Sequence, residues 1–290
     1  MKNEIEIVDT EFGQAVYLGS DIEFVMNYAT QNKIKGLIIS YDRGFRNTTI
    51  EFLKNYTFIE NLIIQYYGNI DLNGIHYLRN LKKLALNIIA NDNQLIDFSC
   101  FPNLETCFFD WRPKAKSIFN CKTLKDLRIS KFRKENLEDL QELSNLEALT
   151  ITSSPIKYLK GIENLKISRL RLYYLTKLEN LNYIEGLAEY IKELDIHACK
   201  KIKNIQQIAS LTNLEMLGLN NCGEIDNIKP IKNLKKLYRF NFRESTNILD
   251  GDVTPCFDLK DVAFQNRKHY THTYEEINKV INKKPAANKQ

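Results

Sequence analysis

The chain has 290 residues, 43% hydrophobic and 27% charged, with a formal net charge of +5. That composition is ordinary for a folded protein with a core, and the scarcity of Gly (11) and Pro (6) excludes a long disordered linker. The charge excess is small, and part of it sits in residues 279–289, so the basic patch or stripe of a nucleic-acid reader is not expected.

Residues 1–33 read as an N-terminal cap. Met1 to Glu6 lacks the basic start and apolar stretch of a secretory signal, and a cytoplasmic location is expected. Phe12-x-x-Ala15-x-Tyr17 has the alternation of a degenerate strand. A short amphipathic helix is expected over about residues 20–31, with Ser20 as N-cap and Glu23 three residues on.

Residues 34–266 repeat one phrase about eleven times: apolar, two variable, apolar, one variable, apolar. Leu124-x-x-Leu127-x-Ile129, Leu146-x-x-Leu149-x-Ile151 and Leu214-x-x-Leu217-x-Leu219 are clear copies. Successive phrases start 20 to 25 residues apart. Self-similarity at such a period means stacked small units without one central core. The fourth and sixth positions alternate with variable ones, the strand period of two, so neighbouring phrases should form one parallel sheet. Between phrases the apolar residues recur every third position, as in Ile202, Ile205, Ile208 and Leu211. That spacing fits a 3₁₀ or extended return better than an α-helix.

Residues 267–290 should close the stack. Thr273-x-x-Glu276 is a capping box opening a helix through Ile277, Val280 and Ile281, followed by a frayed tail around Pro285 to Asn288. The predicted fold is an α/β repeat solenoid. It is an arc with a parallel β-sheet on the concave face, 3₁₀ or extended returns on the convex face and short helical caps.

The phrase, the length near 22 and the three-spaced return resemble the leucine-rich repeats of bacterial internalins and of phosphatase-regulating leucine-rich proteins, over about residues 34–266. The resemblance implies a binding scaffold. It does not extend to an immunoglobulin-like domain or a wall-sorting tail. The ninth repeat position, usually Asn or Cys in that pattern, holds Cys199 and Cys222 in two repeats but Asp42, Tyr67, Arg112 or Phe132 elsewhere. The turns at the latter are therefore expected to be less regular.

The chain has six cysteines, none at CxxC spacing, so free buried thiols are expected, with no cofactor and no metal site. Phosphate-loop, dinucleotide, zinc-protease and nucleophile-elbow motifs are all missing from the sequence. Asp195 and His197 would share one strand face, the least favoured reading being an enzyme built on them; no nucleophile accompanies them, because Cys199 should turn inward.

The informative residues are then the variable ones. Side chains alternate along a strand, so the fifth and seventh positions should face away from the core, with the eighth at the strand exit. Those positions carry Tyr41, Tyr66, Phe108, Trp111 and Arg128 in the N-terminal half. Further on they carry Arg171, Tyr173, Tyr174, His197 and Arg243. Aromatic residues and Arg dominate interface hot spots, although aromatics also favour strands for packing alone. A Trp at the strand exit has little core to enter, so Trp111 is expected to be exposed in the loop Trp111-Arg112-Pro113. The function expected is non-catalytic: one protein partner held on the concave face, with an immunity- or inhibitor-type role by analogy and no membrane association. Nucleic-acid binding through Arg128, Lys131 and Arg171 is the alternative, with a steep salt dependence as its signature.

Overall fold

The computed structural model describes residues 5–89 and 94–283 and divides into two compact units, Met1–Ser130 and Lys131–Gln290. The first unit is one sheet of seven strands in chain order. These are β1 (Ile7–Thr10), β2 (Gly13–Leu18), β3 (Gly36–Ser40), β4 (Asn61–Tyr67), β5 (Lys83–Ile89), β6 (Thr106–Asp110) and β7 (Asp126–Ser130). β1 and β2 form an antiparallel hairpin, and every later pairing is parallel. The degenerate strand expected around Ala15 is β2; the hairpin partner β1 was not anticipated.

The second unit has β8 (Ala148–Thr152), β9 (Arg169–Tyr173), β10 (Glu193–His197) and β11 (Met216–Asn220). A two-stranded pair, β12 (Glu224–Ile225) and β14 (Asn247–Ile248), lies apart from the main ladder. The ladder continues with β13 (Arg239–Phe242) and β15 (Asp261–Phe264). Equivalent positions face one another, as in Leu194 opposite both Leu170 and Leu217. That register buries the first, fourth and sixth positions together: Leu146, Leu149 and Ile151 are at most 1% exposed.

The return segments are 3₁₀ turns, as the three-residue spacing predicts. In such a turn residues i and i+3 eclipse, and Ile202, Ile205, Ile208 and Leu211 are all buried on one side. A second periodic device escaped the sequence reading. An Asn or Asp stands directly before the apolar residue that opens the turn, and its side chain accepts the N–H two residues on. Asp71 to Asn73 (2.9 Å), Asn136 to Glu138 (3.3 Å), Asn204 to Gln206 (2.8 Å) and Asn227 to Lys229 (3.1 Å) are examples. These Asx turns satisfy a backbone donor that the thin return would otherwise leave unpaired.

Helix α1 (Ile22–Gln31) buries Val25, Met26 and Ala29. Its N-cap is Asp21, whose carboxylate accepts from Phe24 N at 3.0 Å, and not Ser20. The helix begins one residue later than expected, which puts Asp21 three residues before Phe24, the capping geometry. Helix α2 (Tyr274–Ile281) has the expected capping box between Thr273 and Glu276. It buries Ile277 and Ile281 but leaves Val280 at 43% exposure. The tail residues Pro285 to Asn288 lie outside the described residues. No described helix is long and apolar enough to cross a membrane.

All six cysteines are free thiols, five buried and Cys100 half-buried. Burial pushes Cys199 up to about 12 and Cys121 and Cys222 up to about 11, and raises Cys107 and Cys256 as well. The thiolate is the reactive form, so a disulfide reagent at pH 8 is expected to titrate Cys100 alone until denaturant is added; rapid labelling of a second cysteine in the folded chain would contradict the packing. A thiol raised in the folded state favours folding below its ordinary value, and that contribution fades only as the pH climbs toward the raised values.

Candidate functional site

In the second unit the exit from each strand is built by one repeated backbone device. The eighth repeat position has a positive φ in six successive repeats: Lys131 (56°), Ser153 (49°), Tyr174 (56°), Ala198 (57°), Asn221 (53°) and Glu244 (60°). Each of the first five gives its N–H to the seventh-position carbonyl of the next repeat, as Tyr174 N does to His197 O at 2.9 Å. The left-handed conformation turns the chain by one residue, so the ninth position points inward. There Cys199 and Cys222, and Thr246 one residue further on at the tenth position of its repeat, donate in turn to the carbonyls of Leu172, Ile196 and Leu219. Thiols and hydroxyls thus supply the ladder expected from Asn. The turn is regular even at Phe132, whose N–H is taken by Ser154 Oγ at 2.9 Å, contrary to the irregularity expected there.

A bulky residue in the left-handed region is strained by about 1–3 kcal/mol. At Tyr174 the result is a ring 50% exposed to solvent. It packs edge-on against His197 (5.2 Å), and the Tyr173 ring meets the same imidazole from the neighbouring position (6.1 Å). Tyr173 Oη donates to Asp195 Oδ2 at 2.6 Å. The carboxylate then leans over β11, where a Cβ on Gly218 would lie 2.3 Å from Asp195 Oδ1. A shallow depression of about 220 Å³ lies beside it, lined by Arg171, Asp195, Gly218, Asn220 and Asn241 among others. Arg171 stands opposite Asp195 in the register. Because Tyr173 holds that carboxylate, the Arg171 guanidinium makes no ion pair among the described residues. Arg243 is exposed beyond β13, and its backbone N–H bonds Asn220 Oδ1 at 3.1 Å. Three predicted residues, Tyr173, Tyr174 and His197, therefore form one cluster, with Arg171 two residues before Tyr173 on β9. Gly218, over which the Asp195 carboxylate lies, faces outward as its position predicts but was not among the expected site residues; a Gly inside a strand, which admits a close approach, is the signal that could have found it.

The first unit treats its candidates differently. β4 and β5 run seven residues against the usual five, with Tyr and Ile, good strand formers, where later repeats turn. No left-handed residue intervenes, so the eighth position keeps the alternation and faces the core. Tyr66 is 5% exposed and Trp111 is 7% exposed. The expectation that Trp111 lies open is wrong: its ring stacks on Phe119 (5.3 Å, 21° between planes) and touches Phe109 (6.4 Å). The return segment Pro113–Asn120 brings Phe119 beneath it and supplies the pocket that a strand exit alone lacks. Tyr41 is half-buried between Tyr66 and Tyr67, with the Arg46 guanidinium 3.7 Å from its ring centre. Phe108 and Arg128 do face outward but are already engaged. The Arg128 guanidinium lies 3.8 Å from the Phe108 ring centre and bonds both oxygens of Glu11 (3.2 and 2.8 Å).

His197 has no hydrogen bond to Asp195, so the pair lacks the base–orienter contact that acid–base catalysis uses. Among the described residues no group of three His, Cys, Asp or Glu stands together as a metal site.

Repeats of one strand and one 3₁₀ return, stacked in parallel register, define a leucine-rich repeat fold. No protein-family model matches the sequence, and no curated protein matches it significantly. Solved structures do resemble it. An internalin, InlF, of Listeria monocytogenes aligns with a TM-score of 0.54 and 17% identity over 88% of this chain and 83% of its own. The functional domain of InlJ from the same organism, which includes a cysteine ladder, gives 0.55 and 16% identity over 91% of this chain and 56% of its own. A leucine-rich repeat protein of Leptospira interrogans gives 0.55 and 18% identity, over 83% and 70%. At these identities the likeness is one of fold.

Proposed function

We propose that the protein is a non-catalytic interaction module that holds a protein partner on the open sheet face of its second unit. The observation that carries this reading is Tyr174: a half-exposed aromatic held in a strained backbone beside Tyr173 and His197. Strain of this kind persists where the surroundings over-determine it and clusters at functional positions. Exposed aromatics beside an uncommitted Arg are the groups that anchor interfaces. Arg171 and Arg243 favour an acidic surface on the partner, and the Gly218 depression admits one side chain from it. A cytoplasmic inhibitor or immunity-type protein, which acts by occupying its target, fits a face with anchors and no catalytic pair.

The test uses a change that does not weaken the fold. Tyr174→Gly relieves the left-handed strain, and Arg171→Gln removes one half-buried charge without setting a carboxylate opposite Asp195. Tagged wild-type and double-variant chains are compared by affinity capture from the native cell with quantitative mass spectrometry, with Lys177→Glu on a return segment as control. Loss of about 100-fold in one captured protein, in the double variant only, is the expected result. The reading fails if every captured protein is retained equally by all three chains.

A further inference from the structure

The tip of the β1–β2 hairpin does more than close the N-terminal edge of the first unit. Thr10 Oγ1 donates to Gly13 O (2.8 Å) and accepts from Phe12 N (3.0 Å), a tight turn that presents Glu11 and Phe12 as a two-residue head. That head is seated on the open face of the unit's own sheet. Phe12 is 4% exposed although it belongs to no repeat. Its ring packs 5.1 Å from Phe108, and its carbonyl accepts from Lys83 Nζ at 3.3 Å. Glu11 takes both terminal nitrogens of Arg128, whose guanidinium also covers Phe108.

Lys83, Phe108 and Arg128 come from three successive strands, β5, β6 and β7, and converge on two residues. A guanidinium fork matches a carboxylate bidentately, and an aromatic ring flanked by cations takes a second ring. The closing ion pair is not locked away: the Arg128 and Glu11 side chains are 32% and 55% exposed, and exposed pairs of this kind hold weakly. The head is therefore complementary to its seat yet displaceable.

We infer that the open face of the first unit is a docking site for a short acidic–aromatic turn, Glu or Asp followed by an aromatic residue. Glu11–Phe12 is its resident occupant, displaced when a partner protein presents the same pair. The inference does not rest on the second unit, so partner capture through Tyr174 and binding at this seat report on separate surfaces.

The probe is a fluorescent, backbone-cyclised peptide of residues 6–17, titrated into the full chain by anisotropy. A tethered head competes at an effective concentration of about millimolar. The Glu11→Ala/Phe12→Ala chain is therefore expected to bind the peptide about tenfold or more tightly than wild type. Adding Arg128→Glu should abolish that binding, and a peptide carrying Ala at both head positions should not bind. Equal affinity for wild type and variant overturns the inference. So does undiminished binding of a peptide lacking only the aromatic ring, which would reduce the seat to charge attraction. Should circular dichroism show the double variant unfolded, Glu11→Lys, which repels the head from Arg128 and keeps Phe12, takes its place. If both chains are unfolded, the head is part of the core and the inference fails.

Discussion

Trp111→Ala is expected to cost about 3–5 kcal/mol of folding stability, the range for deleting a buried large aromatic. The ring is buried to 7% exposure and is stacked on Phe119. Truncation would leave Phe119 and Phe109 facing a cavity in a unit whose repeats contact only their neighbours, so no distant core can compensate. Urea denaturation followed by circular dichroism measures the loss as a lowered midpoint. Trp111 is the only tryptophan in the chain, so its fluorescence gives a second check: native emission should be that of a shielded indole and should shift red on unfolding. A loss below about 1 kcal/mol, the scale of a surface change, would mean that the ring is not part of the core. Any partner binding lost in this variant reports on folding.

The second large effect is expected at Gly161. Its φ is +101°, and a Cβ there would lie 2.5 Å from both Leu137 C and Glu138 N, backbone atoms of the preceding return that cannot swing aside. Gly161→Ala combines left-handed strain of about 1–3 kcal/mol with overpacking of about 1–3 kcal/mol. The expected loss is about 3 kcal/mol or more in the same urea experiment. Gly68 separates the two causes: its φ is +109°, but nothing lies within 4 Å of an added Cβ. Gly68→Ala should therefore cost only the strain, about 1 kcal/mol. Equal losses at the two sites would mean that the close approach of the returns at Gly161 carries no weight.

Much of the architecture was legible in the residues because its signals are local and periodic. The apolar phrase marks each strand, the three-spaced apolar residues mark each 3₁₀ return, and Thr273 with Glu276 announces the C-terminal helix. The Asx turns were equally legible, since an Asn or Asp precedes Leu72, Leu137, Ile205 and Ile228, but they are visible only once the return is known to need a donor satisfied. The site was less legible. Tyr173, Tyr174 and His197 occupy the positions expected of them and converge, while Phe108 and Arg128 carry the expected residue types but are covered by Glu11 and Phe12. Those two lie 96 and 117 positions away along the chain, at Phe12–Phe108 and Glu11–Arg128, and no periodic pattern links them.

What the sequence alone determined is the repeat: its length, its phase and which side chains make the core, because burial follows from a period that the residues display. The fate of the eighth position was set by contacts between repeats. Trp111 and Tyr174 occupy the same letter of the phrase. Where the backbone stays extended, the alternation carries the ring inward, as at Trp111; where it enters the left-handed region, as at Tyr174, the ring is left in solvent. A tyrosine has no intrinsic preference for that conformation. The bond to the next repeat does not make the choice, because Trp111 N gives the equivalent one to Ser130 O at 2.7 Å; what sets the second unit apart is the inward donor ladder of Cys199, Cys222 and Thr246. That ladder joins residues more than twenty positions apart, which is why the difference between a core ring and an exposed ring could not be read from the phrase itself.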